Sequence, residues 1–361
     1  MRKHYRLLII TALAFCLFVP FGYAAKEDKG PEPAEPAEED APVKAAEPYD
    51  IGVFIPGVVA GSPLYELLVA GVEKAAAEYD HVGFKVIEGG FNQAGWEEKV
   101  MSMAATGEYE LILTSNGAMP WVCIPVAEAF PDLKFLIVDA ILPDHPQMAT
   151  VLYNQVEQAF FVGYLGGLIT RSNMSGATPD LKVGMIVGQQ YPAMDRMIVP
   201  GFEKGAKAAD AAVTNDFRVL GNWYDANKAA ELANSMMDAG VDVILTVAGG
   251  ANQGVIKAVQ ERGRYVLYLD DDNYALAPGT IVGCAVLKQE RVVYEKVKEA
   301  VEGTLTWGEA VILNTRDGYV DFVDSNPLYE QAVSEDVRAE MAVMLEDMRG
   351  GRVSFDVPKF W

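Results

Sequence analysis

The chain has 361 residues, with 29 Lys and Arg against 51 Asp and Glu and a formal net charge of -22. A balance that acidic leaves no basic patch for phosphates and excludes a nucleic-acid binder. Three cysteines cannot build a disulfide framework. Cys123 and Cys284 stand singly in apolar surroundings and read as buried thiols.

The first residues read as an export signal. Arg2, Lys3 and Arg6 precede an uncharged apolar run from Leu7 to Val19, and Gly22-Tyr23-Ala24 offers a small-x-small cleavage site, giving a signal peptide over 1–24. The run is too short for a membrane span, and no later stretch is long and apolar enough for one. Leu13-Ala14-Phe15-Cys16 is similar to a bacterial lipobox, with Cys16 as the lipidation site, although Phe15 is bulkier than the small residue normally found there. Cleavage after Ala24 is the alternative. Residues 25–48 are rich in Pro, Ala and Glu with little to bury, as expected of a disordered tether.

From Tyr49 onward, apolar runs alternate with helical patterns. The runs are Ile51–Ile55, Lys85–Ile87, Leu111–Thr114, Phe135–Val138, Val183–Val187, Val241–Val247 and Val266–Leu269. Most are continuous rather than alternating, as in strands covered on both faces. Amphipathic segments lie between them: Ser62–Tyr79, Glu97–Thr106, Cys123–Phe130, Ala159–Ile169, Gly201–Ala211, Asn227–Ala239 and Asn252–Glu261. In the first, Ser62 suits the cap and Pro63 the first helical position.

This order predicts an α/β protein with parallel sheets and right-handed crossovers. The series runs twice, once to Asp139 and again from Lys182 to Asp270. It therefore predicts two doubly wound parallel-sheet lobes with a cleft between them. The expected division is 49–155 plus 281–306 for the N-lobe and 156–280 plus 307–361 for the C-lobe. Residues 324–361 read as helical and acidic, with no function attached.

Open parallel sheets bind ligands beyond the carboxyl ends of their strands. Polar and aromatic residues gather there in this sequence: Phe91-Asn92-Gln93, Asn116 with Trp121 nearby, Asp139, Gln190-Tyr191, Trp223-Tyr224, Gly249-Gly250-Ala251-Asn252 and Asp270. Together with Tyr65 they suit a neutral ligand that offers hydroxyls, ring nitrogens and a flat face. Each residue alone is also an ordinary turn former or core ring. Of the six rings Tyr65, Phe91, Trp121, Tyr191, Trp223 and Tyr224, two or three are expected to face the cleft. Asp270-Asp271-Asp272 lacks a calcium-loop spacing and reads as a solvated turn with one inward carboxylate. His81 and His145 read as surface histidines. No catalytic or metal motif is present, so no metal, cofactor or enzyme activity is expected.

In this order, Phe130–Asp139, Glu157 with Phe160 and Gly163, Asp225–Lys228, Gly240–Ile244 with Ala248-Gly249-Gly250, Leu269–Asn273 and Ala285–Lys288 resemble the basic membrane protein family of ABC-importer binding proteins. That family includes purine nucleoside receptor lipoproteins, and the likeness covers Asp50 to about Val323. It implies a type I periplasmic-binding-protein fold and an extracytoplasmic, membrane-anchored lipoprotein. The implied protein is a monomer that hands a small molecule to a permease and ATPase. It also implies that Asp270 and Lys288 serve the hydroxylated end of the ligand, with Gly249-Gly250 along the wall.

Nucleoside-binding members carry acids after the first strand and a Ser-Phe-Asn helix opening. This chain has Ser62-Pro63-Leu64-Tyr65 instead. The opening helix and Gly89–Gln93 are similar to a spirochaete branch that binds riboflavin, so riboflavin is favoured over a purine nucleoside. The rival classes are a receptor-coupled sensor and an exported hydrolase using Asp139, Glu157 or Asp270.

Overall fold

A computed structural model describes residues 47–359. The signal, Cys16 and nearly all of the expected tether lie outside these described residues.

The first half runs β1 (Tyr49–Ile55), α1 (Pro63–Ala76), β2 (Val82–Glu88), α2 (Trp96–Ala105), β3 (Leu111–Ser115), α3 (Met119–Ala129), β4 (Lys134–Val138) and β5 (Met148–Tyr153). The second opens with α4 (Gln155–Thr170) and β6 (Lys182–Val187). It continues through α5 (Val199–Ala209), β7 (Thr214–Val219), α6 (Ala226–Asp238), β8 (Val243–Val247), α7 (Asn252–Glu261), β9 (Tyr265–Asp270) and β10 (Ile281–Leu287). The chain ends with α8 (Gln289–Val301), β11 (Ala310–Leu313), β12 (Val320–Phe322), α9 (Pro327–Ala332) and α10 (Glu335–Arg349).

Two six-stranded sheets result, ordered β11-β5-β4-β3-β1-β2 and β12-β10-β9-β8-β6-β7. Every pairing is parallel except β10 with β12. These are two doubly wound α/β lobes.

The continuous apolar runs have a direct structural cause. In β1, Ile51, Val53 and Ile55 join the core under α1 and α8, while Phe54 faces the opposite core under α2 and α3. In β3, Leu111 and Leu113 take the first face and Ile112 the second. Side chains alternate across the strand, and helices cover both faces, so no position is left for a polar residue.

Some elements differ from the sequence expectation. β5, β7, β10, β11 and β12 have no counterpart among the seven apolar runs. Helix α4 is not amphipathic, because every residue except Tyr164 is buried. It runs through the second lobe against α5, at a separation that glycines permit. A Cβ on Gly205 would stand 2.2 Å from the Phe160 carbonyl oxygen, and one on Gly163 would stand 2.1 Å from that of Phe202.

The lobe boundaries also need correction. β10 continues the second sheet, so residues 281–287 belong to the C-lobe rather than the N-lobe. The chain returns to the N-lobe with α8, which packs on α1, and stays for β11, which pairs with β5. Residues 310–313 therefore lie in the N-lobe. The helices α9 and α10 pack on the C-lobe core. Three crossovers join the lobes: β5 to α4, β10 to α8, and β11 to β12.

Cys123 and Cys284 are free and buried. His81 and His145 are half-buried rather than fully solvated.

Candidate functional site

The carboxyl ends of the two sheets meet across a gap, and three residues there adopt backbone angles that side chains rarely tolerate. Asn116 directly follows β3 at φ 128°, Asp139 directly follows β4 at φ 52°, and Asp270 ends β9 at φ 81°. Such strain is held only by surrounding structure and gathers at functional sites.

Asp139 belongs to the first lobe and Asp270 to the second. Burial pushes the Asp139 carboxyl up to about 8, and the negative charge of Asp270 adds to the shift. Its Oδ1 atom is buried and has no hydrogen-bond partner among the described residues. Burial also raises Asp270, to about 6, against the opposing hydrogen bond from Gln158 and with a further push from Asp271. Asp139 and Asp270 are half-buried as residues, and burial nonetheless dominates the behaviour of both carboxyls. No lysine or arginine acts on either group. An acidic pair without a cation disfavours anions and suits a neutral donor-bearing molecule.

Two tyrosines stand beside this pair. The Tyr65 hydroxyl donates to the Pro56 carbonyl at 3.2 Å. Burial raises its pKa, a hydrogen bond with Asn116 opposes the shift, and the charge of Asp139 adds to it. Burial raises Tyr191 well above the usual phenol range, helped by Asp139, Asp270 and Tyr65. Tyr65, Asn116, Asp139, Tyr191 and Asp270 thus form one group drawn from both lobes.

The second-lobe wall continues through Trp223. Its ring centroid lies 6.3 Å from that of Tyr191, and its Nε1 donates to Gln189 Oε1 at 3.1 Å. Gly249, at φ 56°, lies so close that a Cβ would stand 3.2 Å from the Trp223 carbonyl oxygen, and Gly250 follows it. At the outer edge, Phe91 and Tyr224 approach across the gap with centroids 6.1 Å apart. Phe91 is 51% exposed and Tyr224 68%.

The remaining sequence candidates are placed differently. Asn92 and Gln93 are exposed in the turn before α2, and Trp121 is exposed on α3. Gln190 Nε2 donates to Asp195 at 3.1 Å. The Asn252 amide is buried inside the second lobe: Oδ1 accepts from Thr246 and Ala248, and Nδ2 donates to the Tyr268 hydroxyl. Lys288 is exposed and caps α8, with its backbone N–H donating to Tyr319.

Gln158 was not singled out from the sequence. Its Nε2 donates to Asp270 Oδ1 at 3.0 Å and to the Ala285 carbonyl at 3.1 Å. The available signal was the cluster Gln155, Glu157 and Gln158 opening an otherwise apolar helix. Buried polar groups of that kind must be satisfied by something specific.

Of the acidic run, only Asp270 accepts from α4. Asp271 accepts from the Asp272 backbone, and Asp272 accepts from Asn326. Among the described residues no acidic, histidine or cysteine cluster could hold a metal, and no helix is long and apolar enough to cross a membrane. A hollow of about 590 Å³ opens at the opposite end of the first lobe, near Tyr49, Glu110, Lys134 and Trp307. None of the strained residues lines it, so the gap remains the candidate site.

Comparison with known proteins agrees with this geometry. A solute-binding protein of an ABC transporter system from Aeropyrum pernix superposes with a TM-score of 0.76 at 21% identity, covering 87% of this chain and 94% of that one. A carbohydrate-transporter solute-binding protein from Agrobacterium radiobacter, in complex with D-arabinose, gives a TM-score of 0.60 at 17% identity, covering 80% of this chain and 99% of that one. At these identities the likeness shows the fold, that of type I periplasmic binding proteins.

Basic membrane protein B of Borrelia garinii subsp. bavariensis is 29% identical over 252 residues, which is 63% of this chain and 71% of that protein. The CD4+ T-cell-stimulating antigen of Listeria monocytogenes is 27% identical over 181 residues, 48% of each. Residues 49–348 match the family model described as ABC transporter substrate-binding protein, PnrA-like. The chain belongs to this family of ABC transporter substrate-binding proteins.

Proposed function

We propose that this chain captures a neutral flat heterocycle bearing a ribityl or ribosyl group, riboflavin before a purine nucleoside, and delivers it to an ABC permease and its ATPase. The carrying observation is the cation-free pair Asp139 and Asp270, buried at strand ends of opposite lobes and near enough for the charge of Asp270 to act on Asp139. Carboxyl groups in that position exchange hydrogen bonds with hydroxyls, and Tyr65, Tyr191 and Trp223 give a ring surface beside them. The ligand bridges both lobes, so closure is favoured by contacts that no single lobe provides. On this reading the protein works outside the cytoplasm, exported by its N-terminal signal and held at the membrane through a lipid on Cys16.

Riboflavin is favoured over a nucleoside by the start of α1. Leu64 and Tyr65 both pack against the first-lobe core, and Tyr65 also reaches Asn116 and Asp139 at the gap, so this turn offers a Tyr ring there and no stacking Phe. A purine nucleoside remains the second reading, because it offers the same hydroxyls and the matching family model is PnrA-like. Glu157, one of the residues considered for a hydrolase, is occupied as an acceptor for the Thr315 and Phe355 backbones.

Absorbance and mass spectrometry of the purified protein, followed by titration with riboflavin, riboflavin 5′-phosphate, inosine and guanosine, test the proposal. The expected result is one riboflavin per chain, with the phosphate ester bound at least about tenfold more weakly through like-charge repulsion. Binding of nucleosides alone would reverse the order. Preferential binding of the phosphate ester would refute the cation-free reading.

A further inference from the structure

The segment after α10 returns to the junction of the lobes. Phe355 and Val357 pack against an apolar cluster drawn from both sides. Leu152 and Ile312 come from the first lobe, and Val156 and Met197 from the second. The Phe355 N–H donates to Glu157 Oε1 at 3.3 Å, and its carbonyl accepts from Asn154 Nδ2 at 2.7 Å. Asn154 and Glu157 cap and open α4 at the first crossover.

The same two side chains also hold the third crossover. Asn154 Nδ2 donates to Asn314 Oδ1 at 3.1 Å, and Glu157 Oε2 accepts from the Thr315 backbone at 2.8 Å. The Phe355 ring lies 4.6 Å from that of Phe160, and the Lys204 ammonium lies 4.6 Å from the Phe355 centroid.

We propose that Val353–Val357 is a strap across the hinge that holds the two lobes in the arrangement described above and opposes their separation. Separating the lobes carries Leu152 and Ile312 away from Val156 and Met197, so the strap cannot keep both sets of contacts. It also turns the first crossover against the third, where Asn154 and Glu157 are 1% and 2% exposed. Water has little access there to replace a lost partner, so each bond broken at the hinge opposes opening. The strap touches neither Asp139 nor Asp270, and it acts on the equilibrium between arrangements rather than on the ligand.

Lobe separation can be read without any ligand. Spin labels on Ser102→Cys in α2 and Lys257→Cys in α7 place one probe on each lobe, both at exposed positions. The native thiols Cys123 and Cys284 are buried and stay unlabelled, and Cys16 is replaced by Ala in every protein compared. Pulsed electron resonance would compare the complete chain, a chain ending at Arg352, and the complete chain carrying Phe355→Ala and Val357→Ala. The expected result is a shift of population to longer separations in both altered proteins, larger in the truncated one. If truncation prevents folding, the double substitution carries the test. Unchanged distance distributions in folded variants, even with a lowered melting temperature, would overturn the proposal by reducing the strap to a stabilising patch. Because no ligand is used, failure here leaves the proposed riboflavin site standing.

Discussion

Gln158 holds Asp270: its Nε2 donates to Oδ1 at 3.0 Å from a helix that is enclosed along almost its whole length. The same amide reaches the Ala285 carbonyl on the neighbouring strand at 3.1 Å, so the carboxylate is fixed relative to both α4 and β10. Replacing Gln158 with Leu keeps the volume and removes the donor. A hydrogen bond to a charged group contributes about 1.5–3 kcal/mol, so riboflavin affinity should fall by roughly tenfold or more. Fluorescence titration at pH 8 reads the loss, and unchanged affinity would show that Asp270 does not contact the ligand.

Asp139 makes the ligand-free protein sensitive to pH. Its folded pKa, about 8, lies above the ordinary carboxyl value of 3.8, because burial and the charge of Asp270 oppose ionisation. The folded state therefore holds a proton that the unfolded state has released, and stability falls as pH rises from about 4 to about 8. Asp139→Asn removes that dependence. With allowance for partial solvent access, the gain at pH 8 should be on the order of 1–3 kcal/mol. Melting temperatures at pH 4 and pH 8 check it: the variant's gain over the native chain should be small at pH 4 and clear at pH 8.

Gly188 sets the position of Trp223. A Cβ there would stand 2.4 Å from the indole Cε3, so Gly188→Ala must push the ring aside and break its bond to Gln189. On the proposed riboflavin site, displacing this ring should weaken binding by roughly tenfold, as expected for an aromatic contact of about 0.5–1.5 kcal/mol plus the displaced surface. Tryptophan emission should shift as well. A normal affinity together with a shifted emission would place the ligand elsewhere.

Gly205 is a matter of packing rather than binding. Ala at this position would meet the Phe160 carbonyl at 2.2 Å and the Tyr164 nitrogen at 2.6 Å, forcing α5 away from α4. Overpacking of this kind costs about 1–3 kcal/mol. Calorimetry should record a melting point several degrees lower, with ligand stoichiometry unchanged in the folded protein.

The parts of the fold legible in the sequence are those in which burial on both faces writes an unbroken apolar run, as in Ile51–Ile55 and Leu111–Thr114. β5 escaped because Met148-Ala149-Thr150-Val151-Leu152-Tyr153 mixes polar and aromatic residues without a clear period. β11 and β12 are four and three residues long, too short to show one. The apolar run Ile281–Leu287 carries no mark of which sheet it enters, and that misplaced the lobe boundary.

At the site, Asp139 and Asp270 could be found because each terminates a strand. The engagement of Asn252 with Thr246 and Tyr268 depends on neighbours that spacing does not reveal. So does the hold of Gln158 on Asp270, which joins residues 112 positions apart.

The return of α8 to the first lobe has a consequence for how the chain is made. The core under α1 contains Val292, Val293, Val297 and Ala300 beside Ile51, Val53 and Val72. The ribosome must therefore complete the second lobe as far as β10 before the first can close its interior. Contacts so distant along the chain slow folding and leave apolar surface uncovered in the meantime. A nascent chain that stays open until nearly all of it exists is one that a secretion channel can still thread.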